Sequence, residues 1–298
     1  MLFEPSAIFR RDRGLGEGMS QKDVGLAAID SLQLEEVEPG RFRGRNDPTT
    51  TGVVHGGQLM GQMLVAAART IPGKPVKSIH AVLARLVKPD LPNDLVVDVA
   101  HNGRAFASAS VDLIQGEKVA ARSLLLFHGE EADLIHHGST MPSVPAPEDC
   151  LDPNYDSSVP GEVRPLPGQD VTDPEAVGEP TYGLWFRCPE APDDPILQQA
   201  LMIPASVMFL IGAAMRPHRG IGISIAHHTI DTGVVTHSMT YHRPANVGQW
   251  LLYTAESPFA GSGVSFGRGE VFTRDGELVA SFQQENIIRQ MQDWSRKS

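Results

Sequence analysis

The sequence predicts an α+β protein made of two similar modules, each one helix wrapped by an antiparallel sheet. Two observations carry that expectation. A helix candidate followed by a run of strand-like segments occurs before a Pro-rich stretch, and the same order recurs after it. The two copies can also be laid over each other. LVKPDLPNDLVVDVAHNG in the first matches YHRPANVGQWLLYTAESP in the second, and SVDLIQGEKVAARSLLL matches GEVFTRDGELVASFQQE.

In the first module, the stretch Gly56 to Thr70 places Leu59, Met63 and Ala67 at helical spacing, with Gly61 and the alanines offering a thin face for close packing. VKSIHAVLARLV, DLVVDVAHNG, FASASVDLIQ and KVAARSLLLFH follow. Their alternation, and the turns NGR and QGEK between them, predict antiparallel strands. In the second module a strand, TYGLWFRC, precedes a helix expected from about Pro195 to Met215. VVTHSMTYHRP, WLLYTAESP, GVSFGRGEVFTRDG and ELVASFQQENIIRQ complete it. Each sheet is expected to wrap its own helix, with the halves free to join edge to edge. The boundaries predicted are a loose tail over 1–24, a module over 25–140, a linker over 141–180 and a module over 181–298. The linker, dense in Pro, Asp and Gly, shows neither helical nor strand period. Either Met1 or Met19 can be the natural start.

Charge and composition narrow the function classes. The net charge of −11, with no basic cluster against it, argues against a nucleic-acid partner. An anionic ligand such as coenzyme A stays open, because local arginines and helix N-terminal amides bind phosphate inside acidic proteins. No continuous run of about 18 apolar residues suggests membrane insertion. The N-terminus lacks the apolar core of a secretory signal, so a cytoplasmic location is expected. Cys150 and Cys188 lack metal-site spacing and read as two free thiols in a reducing compartment. There is no GxSxG elbow, no phosphate loop and no dinucleotide fingerprint.

FRGR (42–45), HGGQLMGQ (55–62), MPSVPAP (141–147), APDDP (191–195), HSMTYHRP (237–244), WLLYTAES (250–257) and RGEVFTRDGELVAS (268–281) with the following QQE run in one order over residues 25 to 290. With them the chain resembles the type II acyl-CoA thioesterases of bacteria and peroxisomes, which are double-hotdog proteins. The resemblance implies hydrolysis of fatty acyl-CoA to free fatty acid and CoA, no metal, no organic cofactor, and a homo-oligomer. It implies a water held by an Asp on the second helix, a Thr on the next strand and a Gln on the last strand, with the oxyanion met by amides at a helix start.

Carried onto this chain, the Gln position falls on Gln284. The Asp position falls on Ser206, and the Thr position, counted back from HSM, on Val234. The segment between Pro217 and His242 is longer than expected, which leaves Thr236 or Thr232 as substitutes. A serine hydroxyl orients water but is a poor base, and valine does neither. His227, His228 and Asp231, in ISIAHHTIDTG, are candidates for the missing base, against the alternative of a solvated loop. His237 and His242 read as hydrogen-bonding histidines of core or interface, not metal ligands. His55, Gly56, Gly57 and Gln58 open the first helix. They are candidates for substrate binding, or serve only to let the helix nestle into its sheet. Two rivals to a thioesterase remain: a non-hydrolytic acyl-CoA binder with a degenerate site, and a hydratase on the same scaffold.

Overall fold

The protein is described from a computed structural model, which covers residues 21–47, 52–150 and 159–291. The choice between Met1 and Met19 lies outside them, as does most of the expected tail. Helix α1 (Gln21–Ser31) already begins inside that tail.

Two short strands, β1 (Glu35–Glu38) and β2 (Arg41–Gly44), precede the first long helix, α2 (Gly56–Thr70). Strands β3 (Val76–Leu83), β4 (Asn93–Asn102), β5 (Phe106–Gln115) and β6 (Lys118–His128) follow. The second half holds β7 (Glu162–Pro165), β8 (Thr181–Arg187), α3 (Pro195–Met208), α4 (Leu210–Met215), β9 (Ile230–Tyr241), β10 (Leu251–Gly261), β11 (Val264–Thr273) and β12 (Leu278–Gln290). All twelve strands form one sheet in the order β1-β2-β4-β5-β6-β3-β9-β12-β11-β10-β8-β7. The halves meet where β3 runs antiparallel to β9, with Ile79 opposite Met239, both fully buried. This is the double hotdog, one helix lying in each half of a single curved sheet.

The helices start where local chemistry satisfies their first amides. Asp194 accepts from the amides of Ile196 and Leu197 ahead of Pro195, a residue suited to the first helical turn. The predicted helix to Met215 breaks at Phe209 into α3 and α4. By length and composition Pro195–Met215 is apolar enough to cross a membrane, although Gln198, Gln199 and Ser206 interrupt the apolar run. Here most of it is buried against the sheet and α2.

Helices α2 and α3 pack antiparallel. A Cβ on Gly57 would stand 2.6 Å from Pro204 Cα, and one on Gly61 would stand 3.7 Å from the Ala200 carbonyl oxygen. Gly57 therefore sets the distance between the helices, since backbone cannot move aside as a side chain can. Gly57→Ala is expected to lower stability by about 2 kcal/mol, read from urea denaturation midpoints, because overpacking of such a contact typically costs 1–3 kcal/mol.

The linker is more structured than its composition suggests. It contributes a 3-10 turn over Pro147–Asp149 and the edge strand β7, paired to β8. It also roofs the outer face of the second half-sheet. Trp185 donates to the Pro145 carbonyl at 2.9 Å, and the Arg164 and Arg187 guanidiniums each stack 4.5 Å from the Trp250 ring. Both cysteines are free and buried.

Candidate active site

The antiparallel register of β9 and β12 sets His237 directly opposite Gln284. Side chains alternate along a strand, so Phe282, Gln284 and Asn286 all point beneath the helix layer. Helix α3 lays Ser206 over this row. Ser206 Oγ stands 3.0 Å from His237 Nε2, and His237 Nδ1 stands 2.8 Å from Gln284 Oε1. All three side chains are at most 1% exposed.

Proton positions in this chain follow from one atom. Gln284 Nε2 donates to the backbone carbonyl of Val207 at 3.0 Å, and also to Asn286 Oδ1 at 2.6 Å. A backbone carbonyl can only accept, so the amide cannot be flipped without setting two acceptors against each other. Gln284 Oε1 is thereby fixed toward His237. It can only accept, so Nδ1 carries the ring proton and Nε2 presents a lone pair to Ser206. Asn286 in turn donates to Ser265 Oγ at 3.2 Å. Ser206 Oγ also lies 2.8 Å from the Ile203 carbonyl and 4.0 Å from Met239 Sδ, so its single proton has two close acceptors and a weak third.

Burial lowers the His237 pKa to about 4, the Gln284 hydrogen bond opposing the fall and His55 adding to it. The ring is a neutral base at pH 7. In the unfolded chain the value is about 6.5, so above that pH the ring is neutral in both states and costs nothing. Below it the unfolded state binds the proton and the native state does not. Stability therefore falls with pH down to about 4, by about 1.4 kcal/mol per unit and roughly 3 kcal/mol in all. Urea denaturation at pH 7 and pH 4.5 should show this component in the wild type and not in His237→Phe.

The start of α2 adjoins the site. His55 Nδ1 accepts from the Gly57 amide at 3.2 Å, and burial brings its pKa to about 4. A Cβ on Gly56 would contact Leu83 at 3.3 Å and Val207 at 3.8 Å, so this helix end abuts the last turn of α3. Gln58 points elsewhere: its amide donates to Asn46 Oδ1 and accepts from the Asp47 amide, bracing the preceding loop. A cavity of about 10 Å³, room for about one water, lies on the other side of Ser206, walled by Phe209, Leu210, Tyr253, Ala255 and Phe282.

The register corrects one assignment. Val234, the residue carried over for the Thr position, faces Asn286 and packs on the core, and His237 faces Gln284. Thr236 does not substitute, since its hydroxyl donates to Glu285 on the exposed face. Thr232 bonds at 3.3 Å to His227, which sits in a left-handed turn at φ 61°. Asp231 is ion-paired with Arg289 at 2.9 Å, and His228 is exposed. Thr232, Thr236 and Asp231 thus spend these contacts on His227, Glu285 and Arg289 rather than on Ser206 or Gln284. The signal for His237 was in the sequence, in HSM, but that triplet served as a counting anchor. Among the described residues, no three His, Cys, Asp or Glu side chains are grouped to hold a metal ion.

Two family models match the chain: the acyl-CoA thioesterase N-terminal domain over residues 45–128 and the acyl-CoA thioesterase C-terminal domain over residues 138–288. The chain belongs to the acyl-CoA thioesterase family. Among curated relatives, acyl-CoA thioesterase 2 of Haemophilus influenzae is 30% identical, covering 90% of this chain and 98% of its own. Acyl-coenzyme A thioesterase 8 of Mus musculus is 27% identical, over 93% and 95%. Among solved structures, an acyl-CoA thioesterase II from Mycobacterium marinum superposes with a TM-score of 0.75 at 28% identity, over 90% of this chain and all of the other. A hot dog fold protein from Alicyclobacillus acidocaldarius, at 20% identity and a TM-score of 0.70, supports the fold alone. In this thioesterase family member Ser206 and His237 form a hydrogen-bonded pair beside Gln284.

Proposed function

We propose that the protein hydrolyses acyl-CoA thioesters to free acid and CoA at the Ser206–His237–Gln284 site. The observation that carries this reading is the hydrogen-bonded row itself. A neutral imidazole with its lone pair on Nε2 supplies the base that Ser206 alone lacks.

An apolar groove of about 520 Å³ opens at the end of the same helix-and-sheet layer, between Met215, Ile221, Ile230, Val264 and Ile288. Its size and apolar walls suit the tail of an acyl chain. We place the enzyme in fatty acid metabolism and in the cytoplasm, a reading that two free buried thiols support. A homo-oligomer is part of the same reading. The outer face of the first half-sheet presents Leu124, Leu126, Val82 and Phe106 to solvent, whereas the linker covers the matching face of the second half.

The test is thiol release from acyl-CoAs of graded chain length. Release well above the uncatalysed rate is the expected outcome. Stoichiometric binding with no release would favour a binding protein, and hydration of an enoyl-CoA without release would favour a hydratase.

A further inference from the structure

We propose that Ser206 is a covalent nucleophile, so that hydrolysis passes through an acyl-serine intermediate. This rests on the thioesterase reading above and departs from a water held by three side chains. A base removes the proton its lone pair faces. His237 Nε2 has Ser206 Oγ directly against it at 3.0 Å, inside hydrogen-bond range and with no room for a water between them. The ring cannot turn its other nitrogen to the task, because Gln284 holds Nδ1 through an amide that the Val207 carbonyl fixes. Nucleophile, base and orienting group thus stand in the order of a serine triad, with a glutamine oxygen in the place of a carboxylate.

The step balances with groups on hand. Ser206 Oγ attacks the thioester carbonyl carbon. As the Oγ–C bond forms and the C–S bond breaks, the hydroxyl proton passes to Nε2 and from there to the CoA sulfur. Water then attacks the acyl-serine carbonyl and gives a proton to Nε2. The C–Oγ bond breaks, Ser206 takes that proton, and the acid leaves. Ser206 rests partly on the Ile203 carbonyl, and the reaction begins when its proton turns to Nε2.

The substrate class fits the weakness of the base. Gln284 is uncharged, so it steadies an imidazolium less than a carboxylate would. A thiolate is a good leaving group, with a thiol pKa near 8.5 by analogy to cysteine, and needs little help from the acid. An amide nitrogen would need far more. The triad is therefore suited to thioesters and poor for peptides. Ser206 also lines the cavity of about 10 Å³, and Phe209 and Leu210 in its wall would give way for the carbonyl to enter.

The test mixes wild-type protein with stoichiometric acyl-CoA, quenches in acid within milliseconds, and maps mass along the chain. The expected result is an acyl adduct on the peptide carrying Ser206. Ser206→Ala should lose the adduct and about 10³-fold or more in kcat. Ser206→Cys, which keeps a nucleophile of similar size, should still take up the acyl group. Ser206→Ala turning over within about tenfold of wild type would overturn the proposal, with His237 then acting on water. Failure of both wild type and Ser206→Cys to acquire an acyl group, while wild type releases thiol, would overturn it equally. Absence of thiol release from wild type is a separate result, and it would remove the thioesterase reading and this proposal together.

Discussion

His237→Ala is expected to lower kcat for acyl-CoA hydrolysis by about 10³- to 10⁴-fold and leave KM within a few-fold. The reason is positional. Ser206 has one basic neighbour, and Asp231, His227 and His228, the other candidates nearby in sequence, are engaged or exposed elsewhere. A group that acts on a proton only in the transition state should change kcat and kcat/KM alike, since it adds nothing to substrate binding. The substitution also leaves a cavity under α3, so denaturation midpoints should be measured beside the rates. A fall in kcat with the variant still folded at the assay temperature is the supporting outcome. A decrease under about tenfold would remove His237 from the chemistry and reopen a water held by Ser206 and Gln284.

What could be read from the sequence tracks how local its causes are. Helix α2 runs over the predicted Gly56–Thr70, because a capping residue and a 3.6-residue apolar period act within a few turns. Strands β5 and β6 match as well, each an alternating run closed by a turn. Strands β1, β2 and β7 were missed. They are four residues long and largely polar, and they exist by pairing with a sheet edge rather than by any pattern of their own.

The site is a harder case, since it depends on register. Gln284 lies inside the matching QQE, and Ser206 is placed by order along the chain on the helix that follows APDDP. The third position could not be counted. A 3-10 turn over Ile223–Ile225 precedes β9, and the β9–β12 ladder shifts register between Glu285 and Asn286, where the pairing steps from Thr236 to Val234 and skips Val235. One such bulge turns both Val234 and His237 toward the core although they are three residues apart, so facing along β9 cannot be read by simple alternation.

Gln284→Leu is expected to damage fold and site together, losing about 3 kcal/mol of stability and about 10³-fold or more in kcat. The side chain makes three bonds in a fully enclosed place: it accepts from His237 Nδ1 and donates to the Val207 carbonyl and to Asn286 Oδ1. Leucine has similar size and none of these groups, so packing survives while three buried polar atoms lose a partner. Unmet buried donors and acceptors cost about 1–3 kcal/mol each, partly relieved as neighbours relax. The catalytic loss has a different origin. Without the Gln284 oxygen nothing favours the proton on Nδ1, and the other tautomer would aim an N–H at Ser206 and remove the base. The two effects separate in a double-mutant cycle with His237→Phe. If His237 and Gln284 form one unit, the double variant should be at least about 1 kcal/mol more stable than the sum of the singles predicts, because the ring nitrogen stranded by leucine is then gone. Additivity within about 0.5 kcal/mol would mean that the two side chains are neighbours without being coupled.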